Sequence, residues 1–163
     1  MYDKAAVLAY LDGKNVSYDL IEHEPMYTIG QMEEAGLTAG IDVCKNLFLR
    51  DYKGKNHYLI SFLCHKKMDL KEISQKLVST RLSFASAQRL EQYLKLTQGA
   101  VSPFGLLNDS ARTVEAVFDK ALLGRTKTAF HPNDNSATVI IHFDDLLNII
   151  QSLGNRITFI DIA

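Results

Sequence analysis

Apolar residues recur along this chain at two different periods. Between Ile41 and Arg50, Val43, Leu47 and Leu49 fall on every second position, the spacing of one face of a strand. Lys45 falls on that same face. An ammonium taken out of water is costly unless something compensates it. Lys45 therefore either snorkels to water from a strand end or opens into a pocket that takes an anionic or carbonyl ligand. The pattern alone leaves both open. The turn D-Y-K-G-K at 51–55 then predicts a hairpin whose returning strand runs from Tyr58 to Cys64.

Around this hairpin the other elements follow from period and punctuation. A first helix is predicted from Asp3 to Asp12, with Ala6, Val7, Tyr10 and Leu11 on one face and Gly13 as its stop. Val16 to Glu22 reads as a strand that Pro25 breaks, and Thr28 with Gln31 forms a capping box opening a short helix to Ala35. Asp69 and Glu72 flank a helix to Leu77, Leu82 to Ala85 is a short strand, and Ser86 caps a helix with Ala87, Leu90, Tyr93 and Leu94 inward. Thr97 to Asp109, with two glycines and a proline, reads as a shaped loop and not as a helix or long strand. Strands are expected at Val114 to Phe118, Thr128 to His131, Ala137 to His142 and Arg156 to Ile162, with at most one helical turn at Lys120 to Leu123. Asp144 is expected to cap a helix with Leu146, Leu147, Ile149, Ile150 and Leu153 inward, stopped by Gly154. Interspersed strands and helices with one clear antiparallel hairpin imply an α/β fold of the α+β type. The expected architecture is a mixed, mostly antiparallel sheet or partly closed barrel with packed helices, in one domain over residues 1–163.

Composition narrows the function. At 163 residues, 47% hydrophobic and 23% charged, the chain can bury one core, and its net charge of −1 supplies no global field for nucleic acid. Any RNA contact has to be local. The longest N-terminal apolar run, Ala5 to Leu11, is too short for a signal peptide or a membrane span, so a soluble, cytoplasmic protein is expected. Cys44 and Cys64 lie in apolar stretches and read as reduced thiols. A nucleophilic Cys44 beside Lys45 is the alternative, but neighbouring strand residues point to opposite faces. Neither a dinucleotide-binding fingerprint nor a Walker loop occurs, and no Cys or His spacing matches a metal site, so no metal or cofactor is expected. Gly99-Ala100-Val101-Ser102-Pro103 is not a nucleophile elbow.

Three segments carry a resemblance. K-N-L-F-L-R-D from Lys45, the G-x-x-x-P loop from Gly99 to Pro103 continuing F-G-L-L-N-D, and F-H-P-N-D-N-S-A-T from Phe130 to Thr138 match, in order and separation, the family of prolyl-tRNA synthetase-associated aminoacyl-tRNA editing domains. R-L-S-F-A-S at Arg81 to Ser86 resembles a fourth family segment, and Ser136 stands where relatives often carry threonine. The pattern is most similar to free-standing deacylases that clear alanine from mischarged proline tRNA. The resemblance implies that Lys45 holds the terminal phosphate or the ester carbonyl region, with Asn46 fixing that end of the substrate. It implies that Gly99 and its neighbours Ala100, Val101, Ser102, Pro103, Phe104 and Gly105 bring backbone N–H groups to the carbonyl, and that His131 lines the amino-acid pocket. The vicinal hydroxyl of the terminal ribose would assist the attack.

An activated ester needs positioning and charge stabilisation more than a strong protein nucleophile, so the missing triad is no objection. The expected partner is the acceptor end of tRNA(Pro), with prolyl-tRNA synthetase as a second partner that the resemblance raises. Lys66, Lys67, Arg125 and Lys127 are further cations that could grip the acceptor end, although solvated surface is their more ordinary role. Two other readings stay open: a sibling deacylase acting on Cys- or Ser-tRNA, and a non-catalytic module that binds tRNA ends or an amino acid.

Overall fold

A computed structural model describes every residue except 26–28, 35, 37 and 38. Eight strands form one mixed sheet in the order β1-β7-β6-β2-β3-β5-β8, with β4 paired to β2 beside that path. They are β1 (Tyr18–Glu22), β2 (Asp42–Arg50), β3 (His57–Leu63), β4 (Ser83–Phe84), β5 (Val114–Asp119), β6 (Thr128–Phe130), β7 (Ala137–Ile141) and β8 (Ile157–Ile160). Four pairings are antiparallel and three parallel. The helices are α1 (Lys4–Gly13), α2 (Ile29–Glu34), α3 (Leu70–Lys76), α4 (Ala87–Leu94) and α5 (Phe143–Leu153).

The alternation along β2 divides the molecule into layers. Cys44 and Phe48 face the larger core, which Val7 and Leu11 of α1, Leu90 and Leu94 of α4, and Phe143, Leu146, Ile149 and Ile150 of α5 cover. Val43 and Leu49 face the other way, into two separate clusters. Val43 packs with Met32 of α2, Ala129 and Ile140. Leu49 packs with Ile73 of α3, Ile60 and Phe62. Two short helices thus cover that face, one at each end of β2.

Most expected elements form within a residue or two of their predicted bounds. Asp3, Asp69 and Ser86 cap α1, α3 and α4 as their side-chain oxygens suggest. The capping box at Thr28 lies outside the described residues. Three expectations need correction. Thr97 to Asp109 is not only a loop: Pro103–Asn108 winds into a 3-10 helix, with Ser102 as its cap and proline in its first turn, where a missing N–H costs nothing. His142, not Asp144, caps α5; its Nδ1 accepts from the Asp144 N–H, and Asp144 sits in the first turn. Ala87, expected on the inward face of α4, is exposed at its first position, whereas Leu147 and Leu153 pack half-buried against the core as expected.

Asp109 ties the end of this 3-10 helix to the sheet. Its buried carboxylate accepts from the Val114 N–H (2.9 Å), the Asn155 side-chain amide (2.9 Å) and the Thr113 hydroxyl (3.3 Å), and Asn155 also donates to the Val114 carbonyl. Replacing it strands the buried Val114 N–H and takes one of two partners from the buried Asn155 amide. Asp109→Ala is expected to lose about 3 kcal/mol of stability, lowering the melting temperature in a thermal scan by roughly 10 °C.

Candidate active site

Lys45 is exposed, which removes the difficulty posed by its place on an apolar face. It emerges at the seam between the cluster under α2 and the cluster under α3, where neither helix covers the strand. Its ammonium has no ion pair or hydrogen bond among the described residues. Lys66 and Arg125, by contrast, are committed: Lys66 Nζ lies 2.6 Å from buried Asp119 and 2.8 Å from the Ile162 carbonyl, and Arg125 lies 3.2 Å from Asp42. Lys67 and Lys127 are exposed.

The parallel pairing of β2 with β6 directs the chain through His131 toward the side of β2 that carries Lys45. Val43 is paired with Ala129, and Lys45 and His131 each lie two residues further on, just past the end of that pairing. The His131 Nδ1 is 2.8 Å from the Ala137 carbonyl, which can only accept, so Nδ1 carries the proton and Nε2 presents a lone pair. His23 stands beside it with ring centroids 6.1 Å apart. It is fixed in the same tautomer, Nδ1 donating to the Glu24 carbonyl and Nε2 accepting from the Thr138 hydroxyl, both at 2.8 Å. No reading of the sequence singled out His23; the antiparallel pairing of β1 with β7 carries it beside His131. Burial first, and then the neighbouring His23, lower the His131 pKa.

The turn after His131 is self-clamped. Ser136 donates to Asp134 through both its N–H (2.8 Å) and its hydroxyl (2.5 Å), and these bonds hold the Asp134 carboxyl below its usual range. The hydroxyl that serine retains has a defined use. The Asn133 amide reaches the carbonyls of Phe104 (3.3 Å) and Tyr2 (2.9 Å), joining this turn to the G-x-x-x-P segment.

That segment is buried along most of its length and exposed at Gly99. The Ala100 N–H bonds the Thr97 carbonyl at 3.1 Å with Gly99 at φ +89°, so Gly99 occupies the third position of a turn that requires a positive φ. Gly99 is exposed and Val101 half-buried, and their N–H groups have no partner among the described residues. Ala100, Ser102, Pro103, Phe104 and Gly105 are buried. The Ser102 hydroxyl accepts from the Phe104 N–H at 3.1 Å, and a Cβ on Gly105 would come within 2.6 Å of Leu96. These side chains build the turn and leave the N–H groups of Gly99 and Val101 unpaired among the described residues.

Asn46 faces the larger core, where its Oδ1 accepts from the Ser61 hydroxyl at 2.6 Å. Cys44 is buried, and desolvation pushes its thiol pKa far up; Cys64, half-buried, is also raised. Neither thiol is poised as a thiolate nucleophile.

The aminoacyl-tRNA editing domain model matches residues 23–149. The chain belongs to the aminoacyl-tRNA editing domain family. It is 52% identical over 159 residues to a prolyl-tRNA editing protein of Acetoanaerobium sticklandii, covering 98% of this chain and 97% of that one. It is 34% identical to a prolyl-tRNA synthetase associated domain-containing protein of Danio rerio, covering 87% and 78% of the two chains. A crystal structure described as a candidate trans-editing enzyme for prolyl-tRNA synthetase superposes with a TM-score of 0.72 at 18% identity, over 99% of this chain and 98% of that one, a likeness of fold. Membership makes this protein an aminoacyl-tRNA deacylase. None of its helices, among the described residues, is long and apolar enough to cross a membrane.

Two consequences are testable without substrate. Because Lys45 is exposed and unpaired, Lys45→Ala is expected to change stability by less than about 0.5 kcal/mol in denaturant unfolding. His131 is expected, by NMR titration, to hold the Nδ1–H tautomer and to titrate below the free value of about 6.5. Its folded pKa lies below its unfolded one, so its contribution to stability is present above about pH 6.5 and is lost as pH falls through the folded value.

Proposed function

We propose that this protein hydrolyses Ala-tRNA(Pro) in trans, releasing alanine and intact tRNA. The observation that carries the reading is Lys45, an exposed cation without a counterion among the described residues on an otherwise apolar strand face; His131 with a free Nε2 lone pair and the unpaired N–H groups of the Gly99 turn support it. Lys45 holds the terminal phosphate or the ester carbonyl region of the substrate. The N–H groups of Gly99 and Val101 meet the carbonyl oxygen as it gains charge, the kind of fixed donor that stabilises an oxyanion without reorganising. His131 bounds the space for the amino acid. Alanine is smaller than proline, so a synthetase built for proline cannot fully exclude it, and a second small site can destroy what enters.

Basic residues at the Arg50 end of β2 support a path for the acceptor stem. Arg50, Tyr52, Arg81 and Ser83 line an open cleft of about 200 Å³. Neither arginine has an acidic partner among the described residues, and the carboxylate nearest in sequence, Asp51, is spent on the N–H groups of Lys55 and Asn56 and on the Asn56 side chain. Five residues of strand separate Arg50 from Lys45, about 17 Å, and that odd spacing sets their side chains on opposite faces, so a bound stem would pass round the edge of the sheet from one to the other. Local charge of this kind lets a chain of net charge −1 bind RNA. The proposed setting is the cytoplasm, with prolyl-tRNA synthetase as the enzyme whose errors are cleared.

Purified protein is expected to release alanine from Ala-tRNA(Pro) faster than it deacylates Cys-tRNA(Pro), Ser-tRNA or Pro-tRNA(Pro). Lys45→Ala is expected to lower kcat/KM by roughly 100-fold while the fold persists. Full activity in that variant would remove Lys45 from the mechanism. A faster rate on another mischarged tRNA would reassign the substrate. Arg50→Gln with Arg81→Gln is expected to raise KM with little change in kcat and to flatten the log–log salt dependence by about 0.7 per lost phosphate contact.

A further inference from the structure

One edge of β2 is occupied only at its ends. Along the other edge β3 pairs with it throughout, Cys44 to Arg50 against Leu63 to His57. On the incomplete edge β6 pairs with Asp42 and Val43, β4 pairs with Leu49 and Arg50, and no strand among the described residues pairs with those between.

The alternation of an antiparallel ladder fixes which groups are exposed there. The Cys64 N–H bonds the Val43 carbonyl, so the odd-numbered residues of β2 direct their N–H and C=O groups at β3 and the even-numbered ones direct theirs away. Two bonds on the far side agree: the Asp42 N–H reaches the Lys127 carbonyl at 2.8 Å, and the Phe48 carbonyl accepts from the Ala85 N–H at 2.9 Å. Midway between them, the main-chain N–H and C=O of Asn46 point into the gap, and neither has a protein partner among the described residues. The residue itself is half-buried and its side chain is held on the core side by Ser61. Within a folded sheet, unpaired donor and acceptor groups of one residue are a template for another extended backbone.

We propose that this gap binds the aminoacyl group of the substrate as a one-residue strand, the Asn46 N–H donating to the ester carbonyl and the Asn46 C=O accepting from the α-ammonium. An aminoacyl ester carries a donor and an acceptor on one α-carbon, as a strand residue does, so both bonds form together. This assigns recognition of the α-amino acid to main chain, independent of its side chain. Selection by size falls to the walls. Lys45, the next residue, directs its own main chain at β3 and its ammonium to the exposed face, which leaves it free for the phosphate or ribose end. The inference rests on the reading of the protein as an aminoacyl-tRNA deacylase, and it explains why Asn46 follows Lys45 in the site without a side chain aimed at the substrate.

The test uses two non-hydrolysable probes, 3′-alanylamino-3′-deoxyadenosine and its 3′-propionylamino counterpart, which lacks the amine, titrated into the 15N-labelled full chain. The Asn46 amide is expected to exchange faster than those of Lys45 and Leu47 in the free protein. With the alanyl probe it is expected to move downfield and become protected, and the propionyl probe is expected to bind about tenfold more weakly. The response should persist in Asn46→Ala, which keeps the main chain and removes the Ser61 bond. An Asn46 amide that is unmoved while the His131 ring shifts would overturn the proposal, as would equal affinity for the two probes. These outcomes are separate from the deacylation panel: a protein inert on every mischarged tRNA refutes the hydrolytic reading, whereas the amide response reports the binding mode itself.

Discussion

The site depends on how β2 is paired. One edge is closed by β3 over seven residues, which fixes the direction of every side chain and every main-chain group along it. The other edge is shared between two strands from distant parts of the chain, β6 running parallel and β4 antiparallel. Strands of opposite sense cannot be continuous with one another, so the break between them is a consequence of topology and not of weak sequence. The loops that leave these two strands, through His131 on one side and Ala85 on the other, border the opening.

The same division explains how a lysine can sit on an apolar face at no cost in desolvation. Val43 and Leu49 are buried by different helices, and the charge surfaces where the two covers fail to meet. Around it the polar groups are held by bonds that leave one function free each. His131 spends Nδ1 on a carbonyl and keeps Nε2; Gly99 takes the conformation of a turn and keeps its N–H; Asp134 and Ser136 satisfy one another and hold the turn that supports both. Such groups act by position, and positioning suffices for an ester already activated by its ribose. The raised thiol pKa values of Cys44 and Cys64 fit a site whose attack does not come from a protein nucleophile.

What could be read from the sequence is what local pattern encodes. The hairpin of β2 and β3, the caps of α1, α3 and α4, and the direction of Lys45 relative to Cys44 follow from period and from single capping residues. Lys45, His131 and the Gly99 turn are marked by motif, and the register of Val43 with Ala129 directs the His131 segment along the side of β2 that carries Lys45. The 3-10 helix after Ser102 was missed because glycine and proline argue against a helix interior, whereas here proline opens the helix and Gly105 admits the Leu96 side chain. His142 was passed over as a cap because histidine is a rare one and Asp144 lies two residues beyond. The pairings of Arg50 with Arg81 and of His23 with His131 join residues 31 and 108 positions apart, and no local signal carries them.

Pairing also decides which cations matter. Counted by type, Lys66 and Arg125 looked as available as Arg50 and Arg81. The fold spends the first two on Asp119 and Asp42, where they close the structure, and leaves the second two unneutralised around a cleft. An acidic partner within hydrogen-bond reach cancels most of the field that a cation offers to a phosphate, so the electrostatic footprint is set by the unpaired charges and not by the composition. The arginine cleft lies at one end of β2 and Lys45 near its middle, and a rigid strand is the element that best preserves the distance between them. Five residues apart, Arg50 and Lys45 belong to opposite faces of the sheet, with the open edge at Asn46 beside Lys45.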